Sequence, residues 1–347
     1  MPLKGKTNSG AKYFVDNYKK FERTPAVESI VLLPGNRVNK AKFSYTSHKL
    51  AVSAHIQNGI TRKNCQDTLV VAISNKSVLL GVFDGFGETG DVASEIMGES
   101  ILYSFQKNIT NGGISVFAGA CNLALKRFRR KNSGVKEGSG TTASVVMIYP
   151  TGRYMVCAVG DSPVYVIEDH GNKVTRLLNT HETALIQTGS TEPNKPVCKK
   201  IPLLEAMLSP QQYRIARHFM ESSITKEGIR DIEFAEGELL PDSKIIVASD
   251  GLSKNLKLSL GNYGQIVDVS GCNDIKEIIC GKNECESVLE RIVTKITMLM
   301  SHAVSSPNPG FSFDACKLNE IRIPQDDDLS VIVLEYKQAE YKEEKGP

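Results

Sequence analysis

Several features that would place a chain of 347 residues in a special class are missing from this one. No apolar stretch reaches the roughly 18 residues of a membrane-spanning helix. The start Met1-Pro2-Leu3-Lys4-Gly5-Lys6 has no hydrophobic segment of the secretory kind. Pro2 excludes N-myristoylation, which requires glycine at that place. The eight cysteines, at 65, 121, 157, 198, 272, 280, 285 and 316, include no CxxC pair, and several lie inside apolar runs. They read as reduced core thiols, so the expected setting is a reducing compartment, the cytosol first and the nucleus not excluded. His48, His55, His170, His181, His218 and His302 show no metal-ligand spacing. Ser139 and Ser162 lie beside motif glycines without the histidine and aspartate partners of a serine hydrolase.

The composition that is present belongs to an ordinary globular protein. A hydrophobic fraction of 41% with 23% charged residues excludes disordered and fibrous classes and supplies a sizeable core. The net charge of +3 is uneven: residues 1–42 carry nine Lys/Arg against three Asp/Glu, and the remainder carries 33 against 36. A slightly acidic body argues against nucleic-acid binding. With no repeat and no splitting linker, the expected organisation is a basic N-terminal extension at 1–42, one domain at 43–336 and a charged tail at 337–347.

Strand signals recur as short apolar runs bounded by turn residues: 50–56, 68–74, 78–83, 142–149, 153–159, 164–168, 174–178, 244–248 and 329–336. The four runs between 142 and 178 are joined by connections too short for a crossover helix, which predicts an antiparallel meander. Val92, Ile96, Ile101 and Phe105 mark one amphipathic helix, and Ile114, Phe117, Cys121, Leu125 and Phe128 a second. A third covers 288–300. Residues 180–240 read as a polar excursion with helix signals around 210–220.

Four aspartates stand at or beside the ends of these apolar runs: Asp84, Asp161, Asp250 and Asp327. Each alone is compatible with an aspartate capping its own turn. If the runs pack side by side, the carboxylates converge, and clustered carboxylates disfavour one another's ionisation unless hard divalent cations hold them. The segment Gly85-Phe86-Gly87-Glu88-Thr89-Gly90 has the GxGxxG spacing of a dinucleotide loop, but Asp84, Glu88, Asp91 and Glu95 would face a pyrophosphate with like charge. A glycine-bearing acidic turn suits a metal better.

Six segments in order carry a family resemblance: Arg62-Lys63-Asn64-Cys65-Gln66-Asp67, Gly81-Val82-Phe83-Asp84-Gly85-Phe86-Gly87, Gly138-Ser139-Gly140-Thr141-Thr142-Ala143, Val159-Gly160-Asp161-Ser162, Ala248-Ser249-Asp250-Gly251 and Asp326-Asp327-Asp328-Leu329-Ser330-Val331-Ile332-Val333. Together they resemble the metal-dependent serine/threonine protein phosphatases of the PPM, or type 2C, class. The resemblance implies an α+β fold, a four-layer α/β/β/α sandwich of two antiparallel sheets flanked by helices, acting as a monomer on phosphoprotein substrates. By match of motif, Asp84 would bridge two Mg²⁺ or Mn²⁺ ions, Gly85 would offer its carbonyl, and Asp250 and Asp327 would complete one ion's shell. Asp67 would orient a metal-bound water, Asp161 would belong to a looser third position, and Arg62 would hold the substrate phosphate. The implied reaction is direct hydrolysis by metal-activated water.

The chain departs from that pattern at four places. Phe86 stands where the family usually has histidine, a proton donor to the leaving oxygen. Gln66 replaces a glutamate, Pro163 an arginine and Lys254 an aspartate. Two readings of different class therefore follow: an active phosphoprotein phosphatase, or a pseudophosphatase that binds or scaffolds with little turnover.

Overall fold

The computed structural model describes residues 27–38, 40–108, 112–177, 182–188, 197–202, 214–220, 223–230, 232–256, 258–260, 266–268, 271–279, 284–305, 312–313, 320–322 and 325–337. Most of the proposed extension, the expected tail beyond residue 337, and Cys280 and Cys316 lie outside them.

Twelve strands build two large antiparallel sheets. In chain order they are β1 (Val27–Pro34), β2 (Lys40–Thr46), β3 (Leu50–Gln57), β4 (Thr68–Ser74), β5 (Val78–Phe83) and β6 (Ala143–Ile148). These are followed by β7 (Arg153–Val159), β8 (Val164–Glu168), β9 (Lys173–Arg176), β10 (Glu233–Glu238), β11 (Lys244–Ala248) and β12 (Leu329–Tyr336). The first sheet runs β1-β4-β5-β6-β7-β10 and the second β9-β8-β11-β12-β3-β2. The helices are α1 (Gly90–Lys107), α2 (Gly113–Phe128), the single turn α3 (Asp250–Ser253), α4 (Cys272–Ile279) and α5 (Cys285–Ser305).

Three hydrophobic cores separate four layers, the sandwich that the sequence implied. Alternate residues of a strand point to opposite faces, and here both faces are covered. On β5, Val78, Leu80 and Val82 enter the core between the sheets, while Leu79 and Phe83 pack beneath α1 and α2. On β11, Ile245 and Val247 face the other sheet, and Ile246 and Ala248 meet α4 and α5. Burial on two sides is why these strands read as unbroken apolar runs rather than as alternating ones. Among the described residues no helix is long and apolar enough to cross a membrane.

Three expectations are corrected. First, β1 and β2 place residues 27–34 and 40–42 inside the sheets, so the extension expected through residue 42 includes two edge strands; β1 pairs with β4 along most of its length. Second, the runs between 142 and 178 do not form one meander. β6 and β7 are a hairpin of the first sheet, β8 and β9 a hairpin of the second. Gly160, at φ 109, turns the chain so that four residues carry it between the sheets. A short connection requires neighbours, not membership of one sheet. Third, Arg214–Met220 is a strand, paired with Glu182–Thr188, which in turn pairs with Val197–Pro202. Cross-strand pairing overrides the helical preference of that run.

Candidate active site

Hairpin geometry decides where the aspartates meet. β4 and β5 are antiparallel, with Thr68 opposite Phe83, so Asp67 before one strand lies beside Asp84 after the other. In the second sheet Ala248 pairs with Val331, which brings Asp250, at the start of α3, beside Asp327 and Asp328 at the entry to β12. β5 packs across the interlayer from β11 and β12. Asp67 and Asp84 thus approach from one sheet, and Asp250, Asp327 and Asp328 from the other.

The Asp84 turn is fixed through its backbone. Its amide donates to Thr142 Oγ1 at 3.1 Å, and its carbonyl accepts from the Thr142 amide at 2.8 Å and from Thr141 Oγ1 at 3.1 Å. Gly85 leaves no room for a side chain, because a Cβ would stand 2.2 Å from the Gly90 carbonyl oxygen and 2.5 Å from that of Gln66. The glycines of the GxGxxG segment therefore serve a close approach of chain to chain. Phe86 pairs with Gly140, and its ring lies where a Cβ of residue 140 would be, 2.7 Å from Phe86 Cζ.

Arg62 is held over the second sheet's acids. Asp328 accepts the amides of Gly59 at 2.9 Å and Gln66 at 2.7 Å, while Asp326 accepts those of Ile60 at 2.6 Å and Thr61 at 2.8 Å. The loop so clamped directs Arg62 Nη2 to Asp327 Oδ1 at 2.6 Å and Nη1 to Asp328 Oδ2 at 3.5 Å. Gln66 Nε2 donates to the Gly87 carbonyl at 2.8 Å, so this neutral replacement braces the acidic turn. Lys254 Nζ pairs with Asp250 and lies 2.8 Å from Asp327 Oδ2.

Charge is unbalanced in this pocket. Five carboxylates, Asp67, Asp84, Asp250, Asp327 and Asp328, act on one another against the cations of Arg62 and Lys254. Burial, then Asp250, Asp67 and Asp327, push the Asp84 carboxyl well above the usual range, with Lys254 opposing. Burial and Asp328 do the same to Asp67, while the nearby Ser330 and Ser249 hydroxyls pull the other way. Asp327 and Asp328 are raised as well, burial first in each. Burial would lower both cations, yet the surrounding acids raise the pKa of Lys254 and of Arg62.

A carboxyl whose folded pKa exceeds its unfolded value of about 4 binds more protons in the folded state. Its contribution is fully present below that unfolded value and is lost as pH rises through the folded one. In chelator, the melting temperature is therefore expected to fall as pH rises from about 4 toward neutrality. Melts over that range check it, and a rising profile would show that other groups dominate.

The donor chemistry suits a hard divalent cation. All the side-chain donors are oxygen, and Asp67 Oδ1, Asp67 Oδ2 and Asp250 Oδ1 are buried without a hydrogen-bond partner among the described residues. Even so, no three His, Cys, Asp or Glu side chains among the described residues stand ready to hold an ion. Lys254 engages two of the acids concerned.

Of the residues selected from the sequence, Arg62, Asp67, Asp84, Asp250 and Asp327 gather here, with Gly85 beside Asp84. Asp161 is buried after β7, and Ser162 and Thr142 stand between it and the Asp84 backbone, Ser162 Oγ lying 2.8 Å from Thr142 Oγ1. The clamping roles of Asp326 and Asp328 escaped the sequence reading, although three consecutive acids before a strand were the available signal. His55 is satisfied by Gln57 Oε1 at 3.0 Å, as expected for a structural histidine.

Comparison with known proteins agrees with this architecture. Among solved structures, the PPM Ser-Thr phosphatase MsPP from Mycobacterium smegmatis, in complex with cacodylate, is 17% identical and covers 84% of this chain and 100% of its own, with a TM-score of 0.52. The Mycobacterium tuberculosis serine/threonine phosphatase PstP/Ppp gives the same identity, coverage and score. The catalytic domain of PstP in complex with two manganese ions is 15% identical, covering 84% of this chain and 99% of its own, with a TM-score of 0.51. At such identity these likenesses carry the fold. No curated protein matches by sequence. The model of the protein phosphatase 2C family matches residues 53–268, more than half of the chain. By that match, over a stretch that contains Arg62, Asp67, Asp84, Asp161 and Asp250, the chain belongs to the protein phosphatase 2C family.

Proposed function

We propose that this protein hydrolyses phosphoserine and phosphothreonine in other proteins, using Mg²⁺ or Mn²⁺ held by Asp84, the Gly85 carbonyl, Asp250 and Asp327. Two ions are proposed, with Asp161 near a looser third position. The observation that supports this most is the surplus of carboxylate in one pocket, five acids, four of them buried, against two bases, with oxygens of Asp67 and Asp250 left unpartnered. When bound, divalent cations supply an acidified water and offset charge on the phosphoryl oxygens.

The remaining tasks fall to the chain's own residues. Arg62 presents a planar set of donors to phosphate, geometry that lysine cannot reproduce. Asp327 and Asp328 hold its guanidinium in place, and 37% exposure of its side chain leaves it open to a phosphate. Asp67, whose carboxylate lies near the Ser330 and Ser249 hydroxyls, would orient the attacking water. Phe86 has no proton to give, so a serine or threonine oxygen must leave without an acid from that position.

With Mn²⁺ added, an aryl phosphate, whose leaving group needs little protonation, is expected to turn over faster than a phosphoserine peptide. Phe86→His is expected to speed peptide hydrolysis by about 10²-fold and to leave the aryl rate nearly unchanged. Steady-state kinetics on both substrates separate these outcomes; an equal effect on the two would remove proton donation as the missing step. The second reading, a pseudophosphatase that binds phosphoproteins, is favoured by the Lys254 bridge and by Phe86. Absence of turnover of either substrate at saturating Mn²⁺ would favour it. A monomer working in the cytosol or nucleus fits either reading.

A further inference from the structure

Lys254 is placed with more care than a surface lysine requires. It follows α3, its amide donating to the Asp250 carbonyl at 2.8 Å, and the i,i+4 spacing carries its ammonium onto the Asp250 side chain. Leu252 and Leu256, both buried, anchor the turn on either side. The same ammonium reaches Asp327 Oδ2 at 2.8 Å. The other oxygen of Asp327 is taken by Arg62 Nη2 at 2.6 Å and by the Asp328 amide at 2.8 Å. Both oxygens of Asp327 and one of Asp250 are thus spent on groups of the chain itself. Among the described residues, the buried oxygens of these acids left without a hydrogen-bond partner are those of Asp67 and the second of Asp250.

We propose that Lys254 is a tethered cation that holds the place of a divalent ion between Asp250 and Asp327, so that the native chain binds divalent ions more weakly, or fewer of them, than it does once this ammonium is removed. An ammonium supplies one positive charge and three donors to acids that would otherwise repel. It keeps the pocket assembled when divalent ions are scarce. It has no open coordination position at which to acidify a water, so it replaces the structural part of an ion's work and not the chemical part. A divalent ion entering between these acids must displace it, and the displacement weakens binding. This deepens the reading above and depends on it only in that divalent ions enter the pocket.

The test is calorimetric titration of Mn²⁺ into the native chain, Lys254→Met and Lys254→Arg, with thermal melts of each in chelator and in Mn²⁺. Lys254→Met is expected to bind Mn²⁺ at least about tenfold more tightly or with one additional ion, and to gain a larger Mn²⁺-induced rise in melting temperature. Lys254→Arg, which keeps the charge, is expected to behave like the native chain. Unchanged affinity, stoichiometry and melting response in Lys254→Met overturn the proposal. So does a higher KM for substrate with metal binding unchanged, which would make Lys254 a phosphate contact. If Lys254→Met does not fold in chelator, recovery of its circular-dichroism signal on adding Mn²⁺ supports the proposal, and failure to recover overturns it. Metal binding is read here without turnover. Tighter binding with no hydrolysis by any variant would sink the phosphatase reading alone, and Mn²⁺-dependent hydrolysis with no change in binding would sink this one alone.

Discussion

Asp84→Asn is expected to lower Mn²⁺-dependent kcat/KM by about 10³-fold while raising the melting temperature of the protein in chelator. The first effect follows if Asp84 holds the reactive cation, because charge stabilisation by such an ion supplies several kcal/mol and each 1.36 kcal/mol is a factor of ten in rate. The second follows from the field around the residue. Burial, Asp250, Asp67 and Asp327 all disfavour its ionised form. Asparagine keeps the shape and removes the charge, so the repulsion is relieved when no divalent ion is present to offset it. The hydrogen bonds that position this residue use its backbone amide and carbonyl, with Thr141 and Thr142 as partners, and survive the substitution. Opposite signs in the two measurements distinguish a ligand from a strut. A loss of stability together with activity would mean that Asp84 holds the fold, and the metal-dependent reading would fail.

Gly251→Ala is expected to destabilise the protein by about 3 kcal/mol or more, a fall in melting temperature of roughly 4 °C or more. A Cβ at residue 251 would stand 2.0 Å from the Asp328 carbonyl oxygen and 3.5 Å from Leu329 Cα. That oxygen cannot retreat. It belongs to the backbone entering β12, a strand hydrogen-bonded on both sides, by β11 and by β3. The side chains of Asp328 itself and of Asp327 before it hold the loop of Arg62, so the damage reaches the site as well as the core. Gly228, where an added Cβ meets nothing within 4 Å, supplies the control: Gly228→Ala is expected to melt with the native protein. Equal melting of Gly251→Ala and Gly228→Ala would show that the β12 entry yields readily, contrary to its place in the sheet.

The layers of the fold were legible because most of the inner strands are covered on both faces. β5, β7, β8, β11 and β12 announce themselves as apolar runs, and their limits agree closely with those read from composition and turns. β1 was not legible as a strand: it is an edge, with β4 as its one neighbour in the sheet, and its apolar residues form a patch too short to show a period. The passage from β7 to β8 misled because a four-residue connection has the same appearance whether it turns back within a sheet or steps to the facing one. In the site, acids at strand ends marked Asp84, Asp161, Asp250 and Asp327 as a group, of which Asp84, Asp250 and Asp327 act directly on one another. What each acid touches was not readable. The partners of Asp328 lie more than 260 residues away in sequence at Gly59 and Gln66, and only long-range pairing brings them near. Lys254 looked like a foreign charge beside Asp250. Its reach to Asp327, 73 residues on, depends on the same pairing.

The split origin of the acids has a mechanical side. Two slabs of strands adhere along their length through Val82, Val247, Ile332 and their neighbours, yet at one lip they present like charge to each other. Any cation lodged there acts as a rivet across the seam, and its grip depends on how far the slabs have slid or splayed. Trimming a side chain deep in that seam, well away from the lip, should therefore alter ion affinity without touching a single ligand, so the strength of the rivet becomes a gauge of shear between the sheets.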